Sequence, residues 1–275
     1  MRWTAAVLGC CLIPAVLSAQ TPTAAPQQPE RADPDVLVDP LQPDFNLAAL
    51  PTTLRLPRHK WAFRVTHRFT RSLGDGDFGD LLADAFGVDG GAQVGLELRF
   101  GLFSGTQIGV NRTSDRTIEI FGQHNFLNER GGALVGLDAI ATLEGANNLR
   151  EHYQSAVGVL VSRSLGRFAS LYAEPIFVAN SSPFTFGDNS TLMLGLGARL
   201  RVRPSAYFFG EITPRLAGFD PGVSQASFGA EFRAGGHLFQ INFSNGFGTT
   251  LGQISRGGIT NESWFLGFNI SRKFF

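Results

Sequence analysis

From Trp61 onward, apolar and polar positions alternate with a period of two, in short runs separated by turn residues. That period sends successive side chains to opposite faces of a β-strand. In 91–101, Ala92, Val94, Leu96, Leu98 and Phe100 oppose Gln93, Gly95, Glu97 and Arg99. In 190–203, Leu192, Leu194, Leu196, Ala198, Leu200 and Val202 oppose Gly195, Gly197, Arg199, Arg201 and Arg203. The last run sets Trp264, Leu266, Phe268 and Ile270 against Gly267, Asn269 and Ser271. Twelve strands are predicted: 61–70, 91–101, 104–113, 116–126, 132–143, 151–163, 167–179, 190–203, 206–216, 225–235, 237–245 and 262–274. Segments 132–143 and 151–163 alternate least cleanly and leave their register open.

The connections carry a second pattern. The odd-numbered ones (71–90, 114–115, 144–150, 180–189, 217–224, 246–261) are, with one exception, longer than every even-numbered one (102–103, 127–131, 164–166, 204–205, 236). Alternating long loops and short turns, with an even strand count, are expected of an all-β, antiparallel transmembrane β-barrel of about 12 strands, with short turns and both termini in the periplasm. A soluble β-sandwich also alternates along its strands, but its loop lengths need not. Aromatics fall near strand ends as an interfacial girdle requires: Trp61, Phe103, Phe126, Phe168, Phe208 and Phe274 at the short-turn end, Phe69, Phe177, Phe243 and Trp264 at the other.

The segment before Trp61 reads differently. Residues 1–19 have the form of a cleavable signal peptide: Arg2, an apolar stretch from Ala5 to Val16, and small residues at Ser18 and Ala19. The two cysteines, Cys10 and Cys11, lie inside it, so the remaining chain forms no disulfide and offers no cysteine metal site. Residues 20–58, rich in Pro, Ala and Asp and lacking periodicity, are expected to be a flexible periplasmic leader. Residues 59–275 form the barrel. After residue 19 no run of about 18 apolar residues occurs, which excludes a transmembrane helix. The formal net charge of zero argues against a nucleic-acid partner.

A barrel in lipid inverts the usual meaning of a charged strand face, because Arg at the lipid midplane costs about 2–4 kcal/mol. Arg64, Arg68, Glu97, Arg99, Glu119, Glu174, Arg199, Arg201, Arg203, Glu211, Glu231 and Arg233 are therefore expected to point inward and line a pore. Their modest positive excess would favour small anionic solutes. The same residues can equally form a salt-bridge network that fills a narrow barrel, since 12 strands lie between a filled and an open cylinder. In the first long loop, Phe78, Leu81, Leu82 and Phe86 have helical spacing behind Asp77, a candidate N-cap. This helix can fold into the mouth as a constriction or pack on the rim. Asp75, Asp77 and Asp80 fail calcium-loop spacing, because position twelve from Asp75 is Phe86. No metal or cofactor is expected.

His67 and His124 fall on the lipid face, where a barrel lipid hydrolase would keep its base, but no Gly-x-Ser-x-Gly elbow accompanies them. Neither HExxH nor a P-loop occurs. An enzyme is not expected.

Leu50-Pro51-Thr52-Thr53-Leu54-Arg55-Leu56-Pro57, followed by Thr66-His67-Arg68-Phe69, resembles the opening of a bacterial family of uncharacterised membrane-bound β-barrel proteins, a domain of unknown function. Phe86 to Gly91, Phe100-Gly101-Leu102 and Ile108 to Arg112 are similar to its next two strands. The resemblance covers residues 50–275; it implies a barrel in the cell envelope, and neither an activity nor a functional residue. The Phe-ended last strand also resembles outer-membrane proteins delivered by the barrel-assembly machinery, although its apolar register runs through Phe274 rather than Phe275. The expectation is thus an outer-membrane barrel surrounded by lipid and acting as a passive pore for small solutes. The alternatives are a non-conducting barrel that is structural or holds a partner, and a lipid hydrolase.

Overall fold

The computed structural model describes residues 39–182 and 189–274. The expected signal peptide at 1–19, the expected leader up to residue 38 and Phe275 lie outside the described residues. The strands are β1 (Trp61–Ser72), β2 (Ala92–Phe103), β3 (Thr106–Thr113), β4 (Ile118–Leu127), β5 (Gly136–Gly145), β6 (Glu151–Leu165), β7 (Ala169–Ala179), β8 (Ser190–Arg203), β9 (Ala206–Thr213), β10 (Arg215–Gly218), β11 (Gln225–Ala234), β12 (His237–Ser244) and β13 (Phe265–Phe274). Short helices α1 (Phe78–Ala83), α2 (Ala146–Leu149) and α3 (Leu251–Ser255) lie in long connections.

All pairings are antiparallel between neighbours, and the sheet closes on itself. β13 pairs with β12 and with β1, from Trp61 opposite Phe274 to Arg68 opposite Gly267. Both β9 and β10 pair with β8. They form one stave interrupted at Pro214, which has no N–H for the ladder. The thirteen strands therefore make a closed twelve-stave barrel, as the alternation predicts, and full closure leaves no open sheet edge. At the β11–β12 turn, Gly235 and Gly236 both have positive φ (54° and 78°), which a two-residue hairpin of the I′ type needs.

The wall is inside-out relative to a soluble domain. Glu97 and Arg99 are buried while Leu96 and Leu98 are exposed. Ile108, Val110, Ile120, Leu143, Val157, Val159, Leu171, Phe177, Leu200, Phe208, Phe228, Phe239 and Ile241 complete the outer apolar belt. Trp61, Phe103, Phe126, Phe168, Phe208 and Phe274 are all exposed at the short-turn end. At the other end Phe228 packs on Phe243 and Trp264, with ring centroids 5.4 and 5.2 Å away. Phe69 departs from the expected girdle: it is buried beside His67 and under Gly87 of the first long loop.

Where the sequence reads a flexible leader, the structure differs. Residues 41–54 and Leu56 are buried, and they form a hairpin inside the barrel. Leu47 N–H donates to Leu50 O at 2.8 Å and Thr52 N–H to Phe45 O at 2.7 Å, with Asn46 bridged to Pro51. The segment enters at the short-turn end, where the Tyr207 hydroxyl donates to Pro40 O. It leaves at the same end, where His59 N–H donates to Gly101 O.

The belt makes a direct prediction. Leu98→Arg places a cation on the outer face of β2 and is expected to destabilise the barrel by about 2–4 kcal/mol. Urea unfolding in lipid vesicles measures this loss, and an Arg at Leu98 that left stability unchanged would contradict the assigned facing.

Candidate functional site: a barrel closed from both ends

The lumen is the site, and its middle is built around the turn of the hairpin, Asn46 to Leu50. A turn buried away from water exposes peptide groups that neither strand nor helix satisfies, so the wall must supply partners. Glu211, on β9, accepts from three successive amides: Ala48 N–H (3.0 Å), Ala49 N–H (3.0 Å) and Leu50 N–H (3.1 Å). Arginines take the carbonyls. Arg199 Nη2 donates to Asn46 O at 3.0 Å, Arg64 Nη2 to Ala48 O at 2.5 Å and Leu47 O at 3.3 Å, and Arg68 Nη2 to Ala48 O at 3.3 Å. Gln240 Nε2 reaches Leu47 O at 3.1 Å, and Asn269 Nδ2 reaches Ala48 O at 3.3 Å. Every one of these groups is buried.

The turn's two leucines occupy apolar seats in the otherwise polar wall. Leu47 and Leu50 are fully buried among Ile140, Ala156, Leu160, Tyr172, Ile176, Met193 and Phe209. Gly195 and Gly197 on β8 make the room. A Cβ on Gly195 would lie 2.8 Å from a Leu50 methyl carbon, and one on Gly197 would overlap Leu47.

The remaining inward charges brace this arrangement. Arg199 and Glu231 form an ion pair at 2.7 Å with both side chains fully enclosed. Arg99 bonds Glu97 at 3.0 Å and lies between the rings of Phe45 and Phe121, its guanidinium carbon 4.9 and 4.5 Å from their centroids. Lys273 faces Asp44 of the hairpin at 3.8 Å. Glu174, on β7 beside the Leu50 seat, is buried with both carboxylate oxygens lacking a hydrogen-bond partner.

The long-loop end is closed by residues 246–258. Helix α3 is wholly buried, and its Leu251 and Ile254 join the apolar cluster that holds Leu47 and Leu50. Its ties also run to the wall: Leu251 N–H donates to Glu119 at 3.1 Å, the Thr250 hydroxyl to Glu144 at 2.5 Å, and Arg215 Nη2 to Ile254 O and Ser255 O at 2.8 Å each. Gln253 reaches Asp115 in the β3–β4 turn at 3.1 Å. Burial pushes the Asp115 carboxyl up, but hydrogen bonds from Thr113 and Thr117 outweigh it and hold the group below the usual carboxylate range. Among the described residues a cavity of about 20 Å³ lies between the two closures, lined by Asn46, Ala49 and Pro51 of the hairpin and by Thr249 and Leu251 of the loop. At the short-turn end a vestibule of about 550 Å³ opens beside Arg55 and Arg58.

Of the expected lining residues, Arg64, Arg68, Glu97, Arg99, Glu119, Glu174, Arg199, Glu211 and Glu231 are buried on the inner face. Arg201, Arg203 and Arg233 keep the inward phase but are not buried; they sit at the short-turn rim. The expected positive excess inside is overturned. Asp138 and Glu144, on a strand whose register the sequence left open, also face inward, so buried wall carboxylates outnumber the cations.

Of the two placements open to the helix of Asp77, Phe78, Leu81, Leu82 and Phe86, the structure has the rim and not the constriction. Asp77 does cap α1, accepting from Gly79 N–H and Asp80 N–H, but the helix buries no residue and Phe78 is 67% exposed. Its loop packs on the rim, where Arg71 pairs with Asp84 at 2.6 Å. Helix α3 occupies the mouth instead. His67 lies on the outer face, stacked on Phe268 at 4.7 Å, and His124 Nδ1 shares a 2.8 Å hydrogen bond with Thr106.

Removing the Glu211 carboxylate strands three buried amides, each worth about 1–3 kcal/mol when left unpaired. Glu211→Ala is therefore expected to raise the maleimide reactivity of a cysteine placed at Ala49 by at least about tenfold. An unchanged labelling rate would show that the turn is held by something else.

Solved outer-membrane porin structures resemble this barrel. Over 78% of this chain and 99% of the other, the NanC porin superposes with a TM-score of 0.50 at 8% identity. A KdgM porin, solved in complex with disordered oligogalacturonate, gives 0.49 at 8% identity over 78% and 99%. An outer-membrane channel from Pseudomonas putida F1 gives 0.49 at 12% over 80% and 97%. At such identities only the fold is shared. No curated protein matches the chain. A family model does, over residues 44–274, a span that takes in the hairpin as well as the wall. The chain thus belongs to the family described as the membrane bound beta barrel domain (DUF5777).

Proposed function

We propose that this protein is a passive, non-enzymatic channel for small polar solutes in the bacterial outer membrane, held shut by its own residues 41–56 and 246–258. The carrying observation is that wall and filling are separate. The wall leaves a bore, with glycines at 195 and 197 on its inner face, and a tethered segment from outside the barrel occupies it. A barrel meant only as a cylinder fills itself with side chains of its own strands. Behind the hairpin stands a face of carboxylates, guanidiniums and amides, which water can solvate once the hairpin leaves. The fold shared with the NanC porin agrees with this reading.

The location follows from the outer apolar belt, the aromatic ends and the signal-like residues 1–19, and it implies surrounding lipid and delivery by the barrel-assembly machinery. The short-turn end then faces the periplasm. Arg201, Arg203 and Arg233 at its rim give small anionic solutes a favourable approach, while the carboxylate-rich interior opposes strong anion selectivity.

A second reading, a non-conducting envelope barrel, draws on the double closure around α3 and the hairpin. Planar-bilayer recording separates the two. The native protein is expected to be closed for most of the time, and Glu211→Ala to raise the open fraction at least about tenfold. Silence in both proteins, with labelling at Ala49 showing the hairpin released, would leave the non-conducting barrel.

A further inference from the structure

We infer that the middle of the lumen is a binding site for short peptides carrying two leucine-like side chains, and that residues 46–50 are its intramolecular occupant. The inference builds on the channel reading in one respect, that the hairpin can leave.

Its basis is what the wall recognises. All but one of the wall's bonds at the turn go to main-chain atoms, the exception being Arg99 Nη2 on the Asn46 side-chain oxygen at 3.4 Å. One carboxylate takes three consecutive N–H groups, and two arginines, a glutamine and an asparagine take the carbonyls of Leu47 and Ala48. The donors and acceptors come from β1, β9, β12 and β13, so they converge on the occupant from separate staves. A third arginine, Arg199, is oriented by Glu231 at 2.7 Å and completes the set on Asn46 O. Any peptide with a similar turn presents the same row of amides and carbonyls.

Side-chain selection comes only from the two seats. They lie three residues apart along the occupant, floored by Gly195 and Gly197, and they are lined by Ile140, Leu160, Ile176 and Met193. Ala48 and Ala49, between them, contribute no group longer than a methyl. A sugar acid or an inorganic anion fits this pattern poorly. It brings no N–H row for Glu211 and no branched apolar groups for the seats, and it would set negative charge against the Glu211 and Glu174 carboxylates.

A tethered occupant has an effective concentration in the millimolar range, so the native hairpin masks the site against free ligand. The test therefore weakens the occupant and leaves the wall intact. In the full-length protein carrying Leu47→Asp and Leu50→Asp, binding of a fluorescent synthetic peptide spanning Asp44 to Thr52 is followed by anisotropy in detergent. Saturable binding is expected. The same peptide with both leucines replaced by aspartate, or a protein that also carries Glu211→Ala, should bind at least about tenfold more weakly. Trigalacturonate should not displace the peptide.

Absent binding, equal binding of the two peptides, or displacement by the sugar acid overturns the assignment. Should the double variant fail to show heat-modifiable gel mobility, the unsubstituted protein is cut by a protease at the exposed stretch 58–60. Exchange of the severed hairpin for labelled peptide then gives the same readout. Anisotropy needs no current: peptide binding without conductance would refute the channel and keep the site, and conductance without peptide binding would do the reverse.

Discussion

The structure depends on one constraint: inward polar side chains in a space closed to bulk water must find partners there. The bilayer forces charge to the inside of the wall, because an outward arginine at mid-depth is costly. Once inside, Glu211, Arg64, Arg68 and Arg199 cannot satisfy one another completely. Arg199 has Glu231 at 2.7 Å, but Arg64 reaches its nearest carboxylate partner, Glu97, only at 4.0 Å. The backbone of residues 46–50 meets the need from the other side, because a buried turn has unpaired amides and carbonyls in equal supply. Wall and hairpin are each incomplete alone, and each supplies what the other lacks.

That reciprocity explains which parts were legible in the sequence. The strands were, because a two-residue period with lipid outside leaves little freedom. The predicted 190–203 and 206–216 coincide with β8 and nearly with β9 and β10, apart from the break at Pro214. The hairpin was not, because residues 41–56 hold neither period. At the turn most bonds to the wall are made by main-chain atoms, which every sequence possesses, and the side-chain bonds of Gln42, Asp44, Asn46 and Thr53 follow no periodic spacing. A trace of it did exist in the wall. The strands whose alternation is muddiest, β5 and β6, are those that turn Ile140, Ala156 and Leu160 inward to face Leu47 and Leu50. An apolar residue in the lumen phase needs an apolar partner in the lumen. The muddied alternation, together with Gly195 and Gly197, was the outline of an occupant.

The lining charges divide on the same principle. Arg64, Arg68 and Glu211 were read correctly as inward-facing, but a pore lining is in contact with water, and these contact peptide. Glu119 likewise faces inward and holds α3 through Leu251 N–H. Strand phase reports facing and says nothing about what a side chain meets. The helix of the first long loop takes the rim rather than the mouth for a related reason. Phe78, Leu81 and Leu82 have the spacing of an amphipathic helix, yet α1 finds no apolar surface to cover, because the adjoining lumen is polar. Leu251 and Ile254 are fewer, but they reach the apolar cluster lower down, and α3 is the helix that enters.

The two closures differ in kind, and the difference assigns them different roles. α3 is bound largely at its ends, with Thr250 and Leu251 on Glu144 and Glu119 and the last carbonyls on Arg215. Both of its flanks continue into the paired strands β12 and β13, so it can tilt but not depart. The hairpin continues through residues 57–60 into β1, and on its other side Pro40 O accepts from the Tyr207 hydroxyl of the wall. No strand pair of the wall runs through the hairpin, so its withdrawal would leave the barrel ladder whole, at the cost of its main-chain and side-chain bonds to the wall. Within one lumen the hairpin is therefore the closure that lies outside the strand ladder, and α3 the one tied into paired strands at both flanks.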